Sequence, residues 1–96
     1  MMDRDLLKKA IQVWGKNAQL LMVLEEMSEL QKEILKHINC GKDNLAEIID
    51  ETADVEIMLT QLKYIFDIEK SVEDRIPQKL EKIRVRLEGK DGIIGN

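Results

Sequence analysis

The sequence predicts an all-α protein of four helices built around a central antiparallel helix pair. Leu, Ile, Glu and Lys dominate the chain, and these residues favour helix over strand. Aromatic residues make up only 3% of it, which leaves little of the side-chain chemistry on which β-sandwiches rely. Apolar residues recur at helical period through four segments, separated by Gly, Asn and Ser punctuation.

The first helix is expected over residues 3–14, with Leu6, Leu7, Ala10, Ile11 and Trp14 on one face. That placement makes Trp14 a core residue. Gly15 is a natural stop, and Asn17 a natural cap for a second helix over about residues 18–38, which ends at Asn39-Cys40-Gly41. Asn44 with Glu47 reads as a capping box for the third helix, which continues to about Phe66. Ser71 is a candidate cap for the fourth, which ends before Gly89. Pro77 lies within that segment; it either kinks the helix or marks its first turn, with residues 71–75 as a separate short turn. The tail, residues 89–96, holds three glycines and is expected to fray. The link between helices two and three is short, so these should form an antiparallel hairpin.

Ninety-six residues suit one domain, residues 1–96. So short a chain buries a small core, and self-association is a common aid. Hydrophobic residues at 44% and charged residues at 35% exclude a disordered composition. The net charge is −4, with no isolated basic block, so nucleic acid is a poor partner. The single cysteine, Cys40, allows no internal disulfide. No apolar run approaches the roughly 18 residues that span a bilayer, and the start, Met1-Met2-Asp3-Arg4-Asp5, lacks a signal pattern. A cytoplasmic protein without membrane attachment is expected.

The acids carry the chemistry. On the third helix Ile48, Val55, Met58, Leu59, Leu62, Ile65 and Phe66 share a face, with Glu51 near its middle and Asp54 beside it. A buried carboxylate must find a cation, share a proton or stay wet. On the second helix Val23, Met27, Leu30, Ile34 and Ile38 define the apolar face. Glu26 and Glu29 lie along its edge, and Glu25 further out. In a hairpin the two acidic pairs can face each other, at heights differing by roughly 5 Å. Converging carboxylates repel unless a cation joins them. Mg²⁺, hard and oxygen-seeking, suits such a set. With acids at 19 of 96 positions, the spacing of residues 25, 26 and 29 arises about once per chain by chance; the two motifs on adjacent helices are what count.

Glu25-Glu26-Met27-Ser28-Glu29 and Glu51-Thr52-Ala53-Asp54 resemble the EExxE and ExxD motifs of the MazG-like nucleoside triphosphate pyrophosphohydrolases, an all-α superfamily that includes the dimeric dUTPases. Trp14-Gly15, Gln19-Leu20-Leu21-Met22, Glu29-Leu30-Gln31-Lys32, residues 53–59 and Lys79-Leu80-Glu81-Lys82 resemble the short phage and bacterial members in order and spacing, from about residue 10 to 88. The resemblance implies a four-helix MazG-like bundle that forms a homodimer or homotetramer. It implies hydrolysis of a nucleoside triphosphate to monophosphate and pyrophosphate with Mg²⁺, or Mn²⁺ in its place. Glu26, Glu29, Glu51 and Asp54 would be metal ligands. Glu25 would be a further acid able to orient water, and Lys79 a phosphate contact. Many members carry an arginine where this chain has Lys82, which supplies charge but no planar fork.

Trp14, Asn17 and Gln19 are candidates for contact with the nucleoside, against plainer roles in core, cap and surface. His37 is expected to serve as a charge partner at a helix C-terminus. A di-iron carboxylate bundle would need two Glu-x-x-His motifs, and the chain has one histidine. The alternative outside enzymology is a helical oligomer acting as a nucleotide-binding or protein-interaction module. It offers no reason for Glu51 and Asp54 on an apolar face. A second, weaker apolar stripe on helix three, Ile49, Ala53, Ile57 and Tyr64, suggests a contact with another subunit.

Overall fold

A computed structural model describes residues 2–89, and among these the chain forms four α-helices and no strand. They are α1 (Arg4–Trp14), α2 (Lys16–Cys40), α3 (Leu45–Phe66) and α4 (Glu69–Glu88). The expected tail beyond Gly89 lies outside the described residues.

Local chemistry sets the helix ends, not always through the residues the sequence suggested. Asp3 caps α1, its Oδ1 accepting from the Leu6 amide at 3.1 Å. Gly15 then closes one helix and opens the next. Its N–H donates to the Ile11 carbonyl at 2.8 Å, and its own carbonyl accepts from Gln19 at 3.1 Å. Asn17 is therefore inside α2 and exposed, not its cap. Gly41 ends α2 in the left-handed region, with φ 61°. Asn44 stands at the N-cap of α3 but makes no side-chain capping bond, because its amide is engaged elsewhere. Ile68, not Ser71, precedes α4, its carbonyl accepting from Val72 at 2.9 Å. Pro77 lies inside an unbroken α4, where it has no N–H to offer the Glu73 carbonyl.

The pair α2–α3 dominates the packing. Asn44 meets Glu33, while Glu26 meets Glu51 and Asp54. As the residue number falls on one helix it rises on the other, so the pair is antiparallel. The buried apolar core is small: Leu7, Val23 and Met58. Around it, Gln19, Glu33, Asn44 and Gln61 are also buried. The facing column on α2 runs Gln19, Val23, Glu26, Leu30, Glu33, and from the N-cap of α3 onward Asn44, Ile48, Glu51, Val55, Met58, Leu62, Ile65. All are buried or half-buried, at alternating steps of four and three. The face read from the sequence was rotated from this one: Met27, Ile34 and Ile38 are exposed.

Helix α1 lays Leu7 on this pair, and the Gln61 Nε2 donates to the Leu7 carbonyl at 3.3 Å. Arg4 adds an ion pair with Glu69 at 2.7 Å, and with Lys8 it covers the Tyr64 ring. Helix α4 packs near its start against α3, with its first residue, Glu69, held by Arg4 of α1, and buries none of its residues. No helix among the described residues is long and apolar enough to cross a membrane.

Candidate metal centre

The acids of the two motifs meet across the α2–α3 seam. Carboxylate oxygens of Glu26, Glu51 and Asp54 lie within 4.8 Å of one another, and all three residues are half-buried. Helical spacing accounts for the pair on α3, since i and i+3 share a face. The antiparallel register brings Glu26 level with them. The offset of about one turn expected from the loop does not apply to Glu26. Asn44, at the head of α3, meets Glu33 and not the end of α2, so residues 34–40 run past the start of α3.

The electrostatics match a site that wants a positive charge. Burial pushes the Glu26 carboxyl above its ordinary value; hydrogen bonding to Asp54 and the charges of Asp54, Glu51 and Glu25 push it further. Burial also raises Glu51, followed by the charges of Asp54, Glu29, Asp50 and Glu33. Three converging hard oxygen donors suit Mg²⁺ or Mn²⁺. The cluster therefore fits the cation that the acidic motifs imply.

The other expected site residues are distributed around this point. Glu29 is half-buried but outside the three-residue cluster, and holds Lys32 at 3.4 Å. Glu25 is exposed, and with Leu24, Glu26, Ser28 and Glu29 it lines a recess of about 630 Å³ beside the cluster. Trp14 is 66% exposed and not a core residue. It lines an apolar groove of about 780 Å³ between α1, α2 and α3, with Leu6, Met22, Ile57 and Met58 among its walls. Gln19, read as a surface or nucleoside-contact residue, is buried and lines the same groove. Asn17 is exposed and outside that lining. Lys79 and Lys82 are exposed on α4, which has half-buried positions only at its start and, among the described residues, no contact with α2. His37 is exposed in the last turn of α2.

Two polar residues of the seam escaped the sequence reading of the site. Asn44 Nδ2 donates to the Glu33 backbone carbonyl at 2.9 Å and to Glu33 Oε1 at 2.8 Å. That bond holds the Glu33 carboxyl below its ordinary value against the opposing effect of burial, with help from Lys36 at 3.5 Å. The four-three spacing of residues 19, 23, 26, 30 and 33 was the available signal. No family model matches the chain, and no curated protein or solved structure shows significant similarity to it.

Proposed function

We propose that the chain hydrolyses a nucleoside triphosphate to monophosphate and pyrophosphate, with a divalent cation held by Glu26, Glu51 and Asp54. One observation carries this reading. Three half-buried carboxylates converge from two helices at the positions where the sequence resembles the two acidic motifs of the MazG-like enzymes. When bound, Mg²⁺ or Mn²⁺ would offset phosphate charge and make phosphorus more open to attack. Glu29, beside the cluster, is the fourth acid able to turn toward it. Glu25, exposed on the adjoining recess, orients the attacking water and accepts its proton. The water oxygen bonds to phosphorus, the bridging P–O bond breaks, and its electron pair leaves with pyrophosphate.

The apolar groove beside the acids suits the nucleoside. Trp14 offers an exposed ring for stacking, and Gln19 an amide in the wall. The phosphates need cations that one chain does not bring to the acids. Residues 75–88 carry Arg75, Lys79, Lys82, Arg84 and Arg86 against Glu81 and Glu88. In a homo-oligomer, dimer or tetramer, α4 of one copy would cover the apolar faces of another and bring Lys79 and Lys82 to its phosphates. The separation of these lysines from the acids within one chain also favours a second reading, a nucleotide-binding helical oligomer without turnover.

The test is pyrophosphate release from a panel of nucleoside triphosphates with Mg²⁺, beside Glu51→Gln. Release that disappears in EDTA and falls about 100-fold or more in the variant is the expected result. Silence across the panel from folded protein would overturn the hydrolase reading. Mg²⁺-dependent thermal stabilisation by a non-hydrolysable nucleotide would then favour the binding module.

A further inference from the structure

We propose that Glu33 and Asn44 form a clasp that sets the register of the α2–α3 hairpin and so positions Glu26 against Glu51 and Asp54. The inference rests on the metal-centre reading above. Asn44 is the most deeply buried polar residue described, at 1% exposure, and Glu33 is buried at 7%. The asparagine occupies the N-cap of α3, where its type ordinarily bonds to its own helix. Here it makes no such bond, and its single amide nitrogen reaches across to two oxygens of Glu33. A side chain diverted from its local partner to a buried distant one points to a role between helices.

The apolar half of the seam does not define the register alone. Val23 and Leu30 on α2, and Ile48, Val55 and Leu62 on α3, recur at heptad spacing. A slide of one seven-residue repeat would still set apolar on apolar, yet would part Glu26 from Glu51 by roughly 10 Å. Polar contacts distinguish these arrangements, and a buried polar pair is the best-attested device for doing so. The clasp and the acids share one register: seven residues back on α2 from Glu33 is Glu26, and seven forward on α3 from Asn44 is Glu51. Glu33 and Asn44 thus act two turns from the acids, as positioning residues.

The experiment is calorimetric titration of the full chain with Mn²⁺ alone, with helicity and melting temperature recorded for each variant. Asn44→Asp keeps the shape of the side chain but removes the donor and sets a carboxylate against Glu33. It is expected to bind Mn²⁺ about 10-fold or more weakly while remaining helical. Glu33→Gln keeps the accepting oxygen and is expected to bind nearly as the unaltered chain does. Joining the two lets Gln at 33 donate to Asp at 44, and is expected to recover most of the lost affinity. Should Asn44→Asp fail to fold, Asn44→Ser, which caps but lacks the amide donor, is read in the same way. Unchanged Mn²⁺ affinity in a folded Asn44 variant would overturn the clasp and leave the metal centre standing. An unaltered chain that binds no Mn²⁺ would overturn both.

Discussion

Gly15 holds φ 96° and ψ 150°, a backbone region that side-chain-bearing residues scarcely enter. A Cβ added there would meet nothing within 4 Å, so the demand comes from the backbone and not from crowding. Gly15→Ala is expected to lower stability by about 1–3 kcal/mol, read by urea denaturation; an unchanged midpoint would refute this. The seam acids set opposite pH trends. Asn44 holds Glu33 below 4.5, so its contribution is present above that value and lost as pH falls through the folded one. Glu26 and Glu51 are held above 4.5, by burial first and then by neighbouring carboxylates. Their charged forms weaken the metal-free fold, and that penalty fades as pH falls through their folded values. In EDTA the melting temperature is expected to rise as pH falls from neutrality through the folded-state values of Glu26 and Glu51, and to fall again at lower pH as Glu33 protonates. Mn²⁺ should abolish the rise by offsetting the repulsion at neutral pH. A flat profile in EDTA over the upper range would contradict this account. Glu51 and Asp54 were legible because carboxylates stood on an apolar stripe. Glu33 was not, because its place in the four-three column marks it as facing α3 but does not announce an asparagine eleven positions on.

At the scale of elements, the period of the apolar residues was enough to find four helices and the hairpin. Their ends were harder to read where caps compete. Asn17 is a good capping residue, but α1 and α2 share Gly15, and no extended position remains for a second cap. Ser71 gives way similarly, because the Lys63 carbonyl accepts from the Ile68 amide at 3.0 Å and α4 starts directly afterwards. Helix α4 carries Ile76, Leu80, Ile83 and Leu87 at steps of four, three and four, all at least half exposed. Such a stripe is the mark of a helix with a partner. Leu80→Glu is expected to lower the assembled mass measured by light scattering while leaving the helix content of α1–α3 intact. Loss of helicity throughout would show instead that α4 supports the chain's own fold.

The molecule as a whole is open. Its radius of gyration is 16.9 Å, against about 12–13 Å for a compact chain of this length. Trp14, Leu21, Leu24, Leu45, Ile49 and Phe66 are each more than half exposed. Light scattering at micromolar protein is expected to give a multiple of 11.1 kDa; a single-chain mass would remove the assembly from the proposed mechanism. This scale was the least legible, since a pattern of apolar residues states that a face is covered but not by which chain. Trp14, assigned to the core by its pattern, shows the difference.

The attachment of α1 has a consequence in time. One glycine joins it to α2, Leu7 is its one buried side chain, and it is tied by the Gln61 bond and the Arg4–Glu69 pair. So few ties make α1 a separate opening unit, able to lift while the hairpin stays whole. In hydrogen exchange its amides should trade for deuterium together, well before those of the seam. A molecule seated in the groove would slow that one group and leave the rest of the exchange pattern unchanged.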